Sequence, residues 1–202
     1  VYLFTLMERK AKAFTRPVGI FAFVWRLALT TGTGSIFGFI VARQGYDAAI
    51  MAPMFVIMSF AYGMAVFLLV LMFAFDADER PIGDAILFRL KNLLAIFTAA
   101  ILYFTIAYHL TNLYATENHA YEAFILLNGG IYTTLFWGGW IFVGCLLPLG
   151  LLYHPAWGKS RAGITAASVM VILGGLSAMY VIIIGGQAFP MAIFPEKTII
   201  ES

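Results

Sequence analysis

One long apolar stretch, from Leu90 to Tyr114, most constrains what this chain can fold into, and it reads LKNLLAIFTAAILYFTIAYHLTNLY. At ~1.5 Å per residue, a helix of this length spans roughly 37 Å, whereas the hydrocarbon core of a bilayer is ~30 Å thick. The stretch therefore predicts a transmembrane helix. It also carries His109, about one and a half turns before its end. A titratable imidazole there is the first candidate for proton-coupled chemistry.

Composition extends this interpretation to the whole chain, which is 62% hydrophobic and 11% charged. Soluble domains carry about 25% charged residues, and apolar segments this long without strict alternation predict helices, not barrel strands. We predict an all-α, polytopic transmembrane helix bundle in a lipid bilayer, a single integral membrane domain over residues 1–202. The net charge of +2 does not indicate a nucleic-acid partner. The predicted complete spans are Pro17–Ala42, Ala48–Phe75, Leu90–Tyr114, Phe124–Tyr153 and Ala162–Ile184.

The basic residues predict the orientation of these spans. Most of the 12 Lys and Arg residues fall on one side, namely Arg9, Lys10, Lys12, Arg16, Arg80, Arg89, Lys91, Lys159 and Arg161. The opposite side has Arg43 and Lys197. Because cytoplasmic loops are enriched in Lys and Arg, we predict that the basic loops are cytoplasmic. The links at 43–47 and 115–123, the C-terminal end and His109 then lie at the outer side.

A polar pocket is predicted just below this outer surface. His109 shares one helix face with Thr105 and Asn112, because residues three and four apart are neighbours on a helix. The adjacent side chains expected to shape the pocket are Tyr108, Asn128, Tyr132 and Gln187. An imidazole in water titrates near pH ~6.5, which suits proton exchange with a quinol hydroxyl. The alternative is a histidine that only forms a hydrogen bond to a neighbouring helix.

A second intramembrane candidate is Arg26, roughly 13 Å beyond Pro17 on a regular helix. A cation at such depth costs at least ~2.5–3.5 kcal/mol, so it is expected to have a partner. The predicted spans contain no Asp or Glu, and a charged partner would come from outside the chain. Arg26 either lines a proton or quinone path, or it snorkels or joins two helices.

Haem and metal sites are not expected. His109 and His154 fall at opposite faces of the predicted bundle, so they cannot ligate one iron, and the spacing of His109 and His119 does not favour a shared haem. The single cysteine, Cys145, allows no disulfide within the chain and no iron–sulfur ligation by thiolates of this chain alone. Pairs of glycines within the spans, such as Gly138/Gly139 and Gly174/Gly175, instead predict close helix packing.

Three stretches resemble the NrfD/PsrC family, the membrane subunits of polysulfide-reductase-like and tetrathionate-reductase-like complexes. They are TGTGSIFGFIVARQGYDAAIMAPMFVIMSFAYGMAV, the stretch around His109, and LGGLSAMYVIIIGGQAFPMAIFPEK. The last is the most specific. The likeness is greatest to the DsrP and HybB relatives, the membrane subunits of sulfite-reduction and hydrogenase-2 complexes. Longer members have about ten helices, so the resemblance implies a partial chain without the first and last of them, as the opening VYLFTL also suggests.

The resemblance implies a quinone-binding subunit, for menaquinone or ubiquinone, in a prokaryotic cytoplasmic membrane. Its implied partners are a ferredoxin-like iron–sulfur subunit at the outer face and a catalytic subunit, in some complexes a molybdenum enzyme. His109 would exchange the proton during respiratory electron transfer. Whether the chain is quinone-reactive or non-catalytic stays open. The alternatives are an ion- or proton-translocating or transporter subunit, and a purely structural anchor of a redox complex.

Overall fold

The computed structural model describes residues 12–46, 48–77 and 83–190, and the part of the chain so described is helical and contains no strand. Five helices are long and apolar enough to cross a membrane, which confirms the predicted fold class. A short helix, α4, lies between the third and the fourth of them. The helices are α1 (Lys12–Gly38), α2 (Met51–Ala77), α3 (Asp84–Tyr114), α4 (His119–Ala123), α5 (Ile131–Tyr153) and α6 (Arg161–Ala188).

The largest departure from the predicted spans is at the start of the fourth one. The prediction that this span begins at Phe124 is wrong, because the membrane-length helix begins at Ile131. Gly130 has a positive φ of 58°, a conformation that glycine adopts without steric cost and that interrupts the helix. The preceding residues, Phe124–Asn128, form a π-helical turn that continues α4. The segment before Gly130 therefore belongs to the connection between α3 and α5.

Two other boundaries move outward. Helix α3 begins at Asp84, after an extended Gly83, and not at Leu90. An acidic residue in the first turn of a helix is favoured by the helix dipole. Helix α6 runs to Ala188 and not only to Ile184, because a π-helical turn at Val181–Gly185 extends it. Both extensions carry polar groups beyond the predicted membrane boundary.

The core lies between α2, α3, α5 and α6, which pack side by side as a four-helix bundle. Helix α1 packs on the outside of this bundle against α2, and only 6% of its most apolar window is buried. The apolar side chains exposed on the helices are those that contact lipid in a membrane. Fully buried core side chains include Met51, Met54, Met58, Leu68, Leu94, Ile101, Trp140 and Ile164.

Helices α5 and α6 approach each other through glycine. A Cβ built on Gly144 would lie 2.8 Å from the Cα of Gly174, and a Cβ on Gly174 would overlap the backbone of Gly144. The neighbouring Gly139 similarly faces Ser177. Small residues permit such backbone contact, which contributes van der Waals packing where lipid supplies no hydrophobic driving force. The predicted packing role holds for Gly174 and Gly139, whereas Gly138 faces open space.

A cation caps a helix at each end of the bundle, and we name the two ends after these residues. At the Arg43 end, Nη1 of Arg43 donates to the carbonyls of Gln187 (2.7 Å) and Phe189 (3.1 Å), at and just after the end of α6. At the Lys91 end, Nζ donates to the carbonyl of Leu152 at 3.0 Å. Both cations satisfy carbonyls that a helix C-terminus leaves without partners.

The Arg43 contact leads to a stability prediction. We expect Arg43→Ala to lower the free energy of unfolding by about 1–2 kcal/mol, because two carbonyls lose a charge-assisted donor at a half-buried site. The measurement is thermal unfolding of the detergent-solubilised protein. Arg89→Ala, which removes an exposed cation from α3, is the matched control and should change stability by no more than about 0.5 kcal/mol. Equal losses in the two variants would contradict the capping role.

Candidate functional site

A buried polar cluster of three residues lies at the Arg43 end. Nδ1 of His109 is 2.7 Å from Oε2 of Glu122, and Nδ2 of Asn112 donates to Oε1 of the same carboxylate at 2.8 Å. Glu122 is 0% exposed, Asn112 3% and His109 8%. We call these residues the His109 cluster. Because a buried carboxylate is costly without partners, the two contacts account for its position in the protein interior.

Local structure brings Glu122 into the bundle. Helix α3 ends at Tyr114, and one 3₁₀ turn at Thr116–Asn118 reverses the chain into α4. Tyr121, Glu122 and Ile125 are buried, and they lie on one helical face. The Tyr121 ring packs directly on Gly45, where a Cβ would overlap it. Glycine at this position in the 39–50 link therefore lets α4 approach α3 closely enough for the carboxylate to reach His109.

Aromatic rings enclose the imidazole. The ring centroids of Tyr108 and Phe136 lie 4.9 and 4.8 Å from that of His109, both in edge-on geometry. Phe136 in turn contacts Trp140, with 5.5 Å between the centroids. Two buried polar atoms beside Phe136 have no hydrogen-bond partner among the described residues, namely Nε2 of His109 and the indole Nε1 of Trp140. The site thus presents a histidine nitrogen and an indole donor that protein groups leave unused.

Tyrosines tie the cluster to the connecting segments. The Tyr108 hydroxyl donates to the carbonyl of Gly45 at 2.6 Å, and the Tyr46 hydroxyl donates to the carbonyl of Ile183 at 2.8 Å. Burial raises the pKa of the Tyr121 phenol well above its usual value and also raises that of Tyr46, although Arg43 partly opposes the latter. Tyr46 and Tyr121 therefore stay neutral at physiological pH.

The structure brings together three of the residues predicted for the pocket, Tyr108, His109 and Asn112. Thr105 is buried on the same face, and its hydroxyl donates to the carbonyl of Ile101. The other predicted pocket residues are not part of the cluster. The side chains of Asn128 and Gln187 are exposed, and Gln187 contributes its backbone carbonyl to Arg43.

Tyr132 is half-buried and stacks on Tyr180, with 6.0 Å between the ring centroids. It also packs near Gly185 and Phe124. These contacts place it between α5, α6 and the turn that follows α4. Its ring supports the wall beside the cluster, whereas its predicted role in binding stays a prediction.

Arg26 lies apart from the cluster. Its side chain is exposed on α1, and it lines a groove of about 50 Å³ between α1 and α2. The groove also contains Thr30, Ser59 and Phe60, none of which contributes to the His109 cluster. Within the described residues, the structure therefore does not join Arg26 to His109 by a polar path. Its predicted place on a proton path stays a prediction.

Glu122 is the residue that sequence reasoning missed. Glu122 was not predicted as a site residue because only carboxylates within the predicted spans were considered, and Glu122 lies in the connection after α3. The available signal was helical spacing, since Tyr121 and Ile125 place Glu122 on the apolar face of a short helix. The direction in which that face points depends on the turns at both ends of α4.

The other two histidines, His119 and His154, lie outside the His109 cluster. His154 follows α5 at the Lys91 end, and its Nδ1 accepts from the backbone N–H groups of Ala156 and Trp157 at 3.3 and 3.4 Å. His119 is exposed and its Nε2 lies 2.8 Å from the carbonyl of Leu113. No group of three or more His, Cys, Asp or Glu side chains suited to a metal ion occurs in the described ranges.

Comparison with known proteins assigns the chain to a family. The family model for "Polysulphide reductase, NrfD" matches residues 2–191. A similar curated protein is the Hdr-like menaquinol oxidoreductase integral membrane subunit of Archaeoglobus fulgidus, 26% identical over 197 residues, which cover 96% of this chain and 49% of that protein. A selenate reductase subunit of Mesobacillus selenatarsenatis is 27% identical over 183 residues, which cover 91% of this chain and 42% of that protein.

The chain spans about half the length of the curated relatives it matches. The search for similar solved structures gave no match. The match to the family model covers all of the described residues, including every member of the His109 cluster.

Proposed function

We propose that this chain, which belongs to the polysulphide reductase NrfD family, is a quinone-interacting membrane subunit of a respiratory oxidoreductase complex. The observation that carries the proposal is the buried His109 Nε2, which has no hydrogen-bond partner among the described residues and belongs to an imidazole next to a carboxylate. In this role, electrons pass between a membrane quinone and an iron–sulfur partner subunit, which connects to a catalytic subunit. His109 exchanges the accompanying proton.

The chemistry of the cluster supports a quinone as the substrate class. A quinol hydroxyl donates a hydrogen bond and a quinone carbonyl accepts one. The two unpartnered atoms beside Phe136 match this pair, because Nε2 of His109 can accept and Nε1 of Trp140 can only donate. The aromatic rings of Phe136 and Tyr108 provide apolar surface of the kind that lines ligand sites. The relative named as a menaquinol oxidoreductase subunit favours menaquinone as the quinone.

Charge distribution supports an orientation in a prokaryotic cytoplasmic membrane. Arg89, Lys91, Lys159 and Arg161 lie towards the Lys91 end, which we propose is cytoplasmic. The Arg43 end, with the His109 cluster, then faces the outer side. In this orientation the iron–sulfur partner docks on the outer side, over the 39–50 and 115–130 connections, where it is nearest to the cluster.

A proton-translocating role is the second candidate, and one observation favours it. Glu122 is a fully buried carboxylate in a chain that spans the membrane, and buried ionisable residues in such chains mark proton relays. If the chain translocates protons without a quinone, quinone analogues should not inhibit proton transport by the complex.

The test is a competition experiment on the complex isolated from native membranes. We expect a short-chain menaquinol analogue to reduce the partner's electron acceptor. A non-oxidisable hydroxyquinone analogue should inhibit this reaction competitively with respect to the menaquinol analogue. Inhibition that is absent or non-competitive, together with proton movement in the absence of quinol, would favour translocation instead. If the complex showed neither quinol turnover nor proton movement, the remaining role would be that of a structural anchor.

A further inference from the structure

We propose that Glu122 is the positioning residue that makes His109 a proton acceptor: its carboxylate holds Nδ1–H and so leaves the Nε2 lone pair for the hydroxyl of a quinol-class substrate. The proposal rests on the proposed function and deepens it. It assigns a role to a residue outside the membrane-length helices, on the short helix α4. The alternative is that Glu122 only fastens α4 to α3.

Hydrogen-bond chemistry determines which imidazole nitrogen carries the proton. An ionised carboxylate can only accept, and a primary amide nitrogen can only donate. Asn112 Nδ2 donates to Oε1, which orients the carboxylate. Oε2 is then left facing Nδ1 of His109 at 2.7 Å. In the neutral imidazole, Nδ1 therefore carries the hydrogen and Nε2 is the acceptor.

Burial explains why accepting a proton is favourable at this position. Glu122 is 0% exposed, so its negative charge is poorly solvated by water. A proton on Nε2 converts a neutral imidazole beside a carboxylate into an ion pair of zero net charge, at a separation of 2.7 Å. Attraction between opposite charges is stronger in a low-dielectric interior than in water. The carboxylate thus stabilises the imidazolium that the proton transfer forms.

The other groups around the pair do not compete for the proton. From α3 the neighbouring titratable group is Tyr108, from α4 it is Tyr121, and from the 39–50 link it is Tyr46. The Tyr108 and Tyr46 hydroxyls already donate to backbone carbonyls. Helix α5 contributes the apolar Phe136. These described neighbours add neither a second carboxylate nor a second base to the His109–Glu122 pair.

The chemical step is a single proton transfer. The O–H bond of the quinol hydroxyl breaks and its electron pair stays on the oxygen, while the proton forms an N–H bond at Nε2 of His109. Nδ1–H remains hydrogen-bonded to the Glu122 carboxylate throughout. No electron moves in this step, so it needs no oxidant.

The experiment measures quinol oxidation by the isolated complex over a range of pH, with a short-chain menaquinol analogue as substrate. Glu122→Gln removes the charge and lets the amide donate to Nδ1, which places the hydrogen on Nε2. We expect its kcat to fall about 10- to 100-fold, at or below the lower end of the ~10²- to 10⁴-fold contribution of a general acid–base group, because Glu122 acts through His109. We also expect the pH profile of kcat to differ from that of the unaltered complex, because the imidazole no longer faces a carboxylate. Asp84→Asn, which changes an exposed carboxylate in the first turn of α3 at the Lys91 end, is the control and should match the unaltered complex.

Two further variants separate positioning from folding. Glu122→Asp keeps the charge with a shorter side chain, so we expect kcat between those of the unaltered complex and Glu122→Gln. This variant carries the test if Glu122→Gln does not assemble. In a His109→Gln background, Glu122→Gln should lower kcat no further, because the carboxylate acts through His109.

The outcomes are distinguishable. A kcat and pH profile of Glu122→Gln or Glu122→Asp that equal those of the unaltered complex would overturn the role of Glu122 and leave the proposed function standing. Additive losses in the double variant would also overturn it. A complex that oxidises no quinol before any substitution would contradict the proposed function, and the Glu122 proposal with it.

Discussion

Replacing His109 with alanine is expected to lower quinol-dependent turnover by about 10²- to 10⁴-fold, the range that general acid–base groups contribute. The substitution removes the only basic side chain of the described cluster and the unpartnered Nε2. Steady-state kinetics of the isolated complex with a menaquinol analogue measure the effect. We expect the membrane subunit to remain assembled with its partners, which co-purification tests.

Two further variants distinguish a loss of proton transfer from a folding defect. Alanine leaves the buried Glu122 carboxylate with Asn112 as its remaining partner, and an uncompensated buried charge destabilises a fold. His109→Gln retains an amide donor for the carboxylate but cannot accept a proton from a hydroxyl as a base, so it should lose turnover with less loss of stability. His154→Ala removes an exposed histidine at the Lys91 end, far from the cluster and the proposed docking face, and should retain full turnover. Unchanged quinol kinetics in both His109 variants would contradict the assignment of His109.

Replacing Gly174 with alanine is expected to lower the stability of the helix bundle markedly. The added Cβ would overlap the backbone of Gly144, so α5 and α6 must separate. Overpacking of a close contact typically costs about 1–3 kcal/mol, and backbone, unlike a flexible side chain, cannot move aside cheaply. Thermal unfolding of the purified protein, monitored by its loss of monodisperse elution, measures the effect.

Gly138→Ala is the matched control for this substitution. Gly138 lies on α5, a few residues from Gly144, and a Cβ there meets no atom within 4 Å. Since alanine favours helix by up to about 1 kcal/mol over glycine, the control should be neutral or slightly stabilising. Equal destabilisation by the two substitutions would indicate that glycine acts here through backbone flexibility and not through the α5–α6 contact.

Much of the fold follows from composition and segment length. A chain with 62% hydrophobic residues and several long apolar segments must satisfy its backbone within helices in a bilayer. Five membrane-length helices result. The boundaries were less predictable where glycines are clustered, because the positive φ of Gly130 that interrupts the fourth span is a property of the folded backbone. Either Gly129 or Gly130 could have been part of a continuous helix by hydrophobicity alone.

The candidate site was predictable along one helix and not across helices. Helical periodicity was sufficient to place His109 and Asn112 on one face of α3, where both are buried. Asn128 and Gln187 were expected beside them because their helices end at the same side. Helix ends at the same depth in the membrane do not necessarily direct their side chains into the bundle. The side chains of Asn128 and Gln187 are both exposed.

By itself, the sequence determined that the chain is a helical membrane protein with a histidine near one end of its third span. These properties depend on hydrophobicity and on a period of ~3.6 residues, which are local. Only the tertiary structure decided that Glu122 is the partner of that histidine. The contact requires a turn after Tyr114, a break at Gly130 and the packing of Tyr121 on Gly45. A carboxylate that reads as part of a solvated loop becomes fully buried because these distant residues direct one short helix inward.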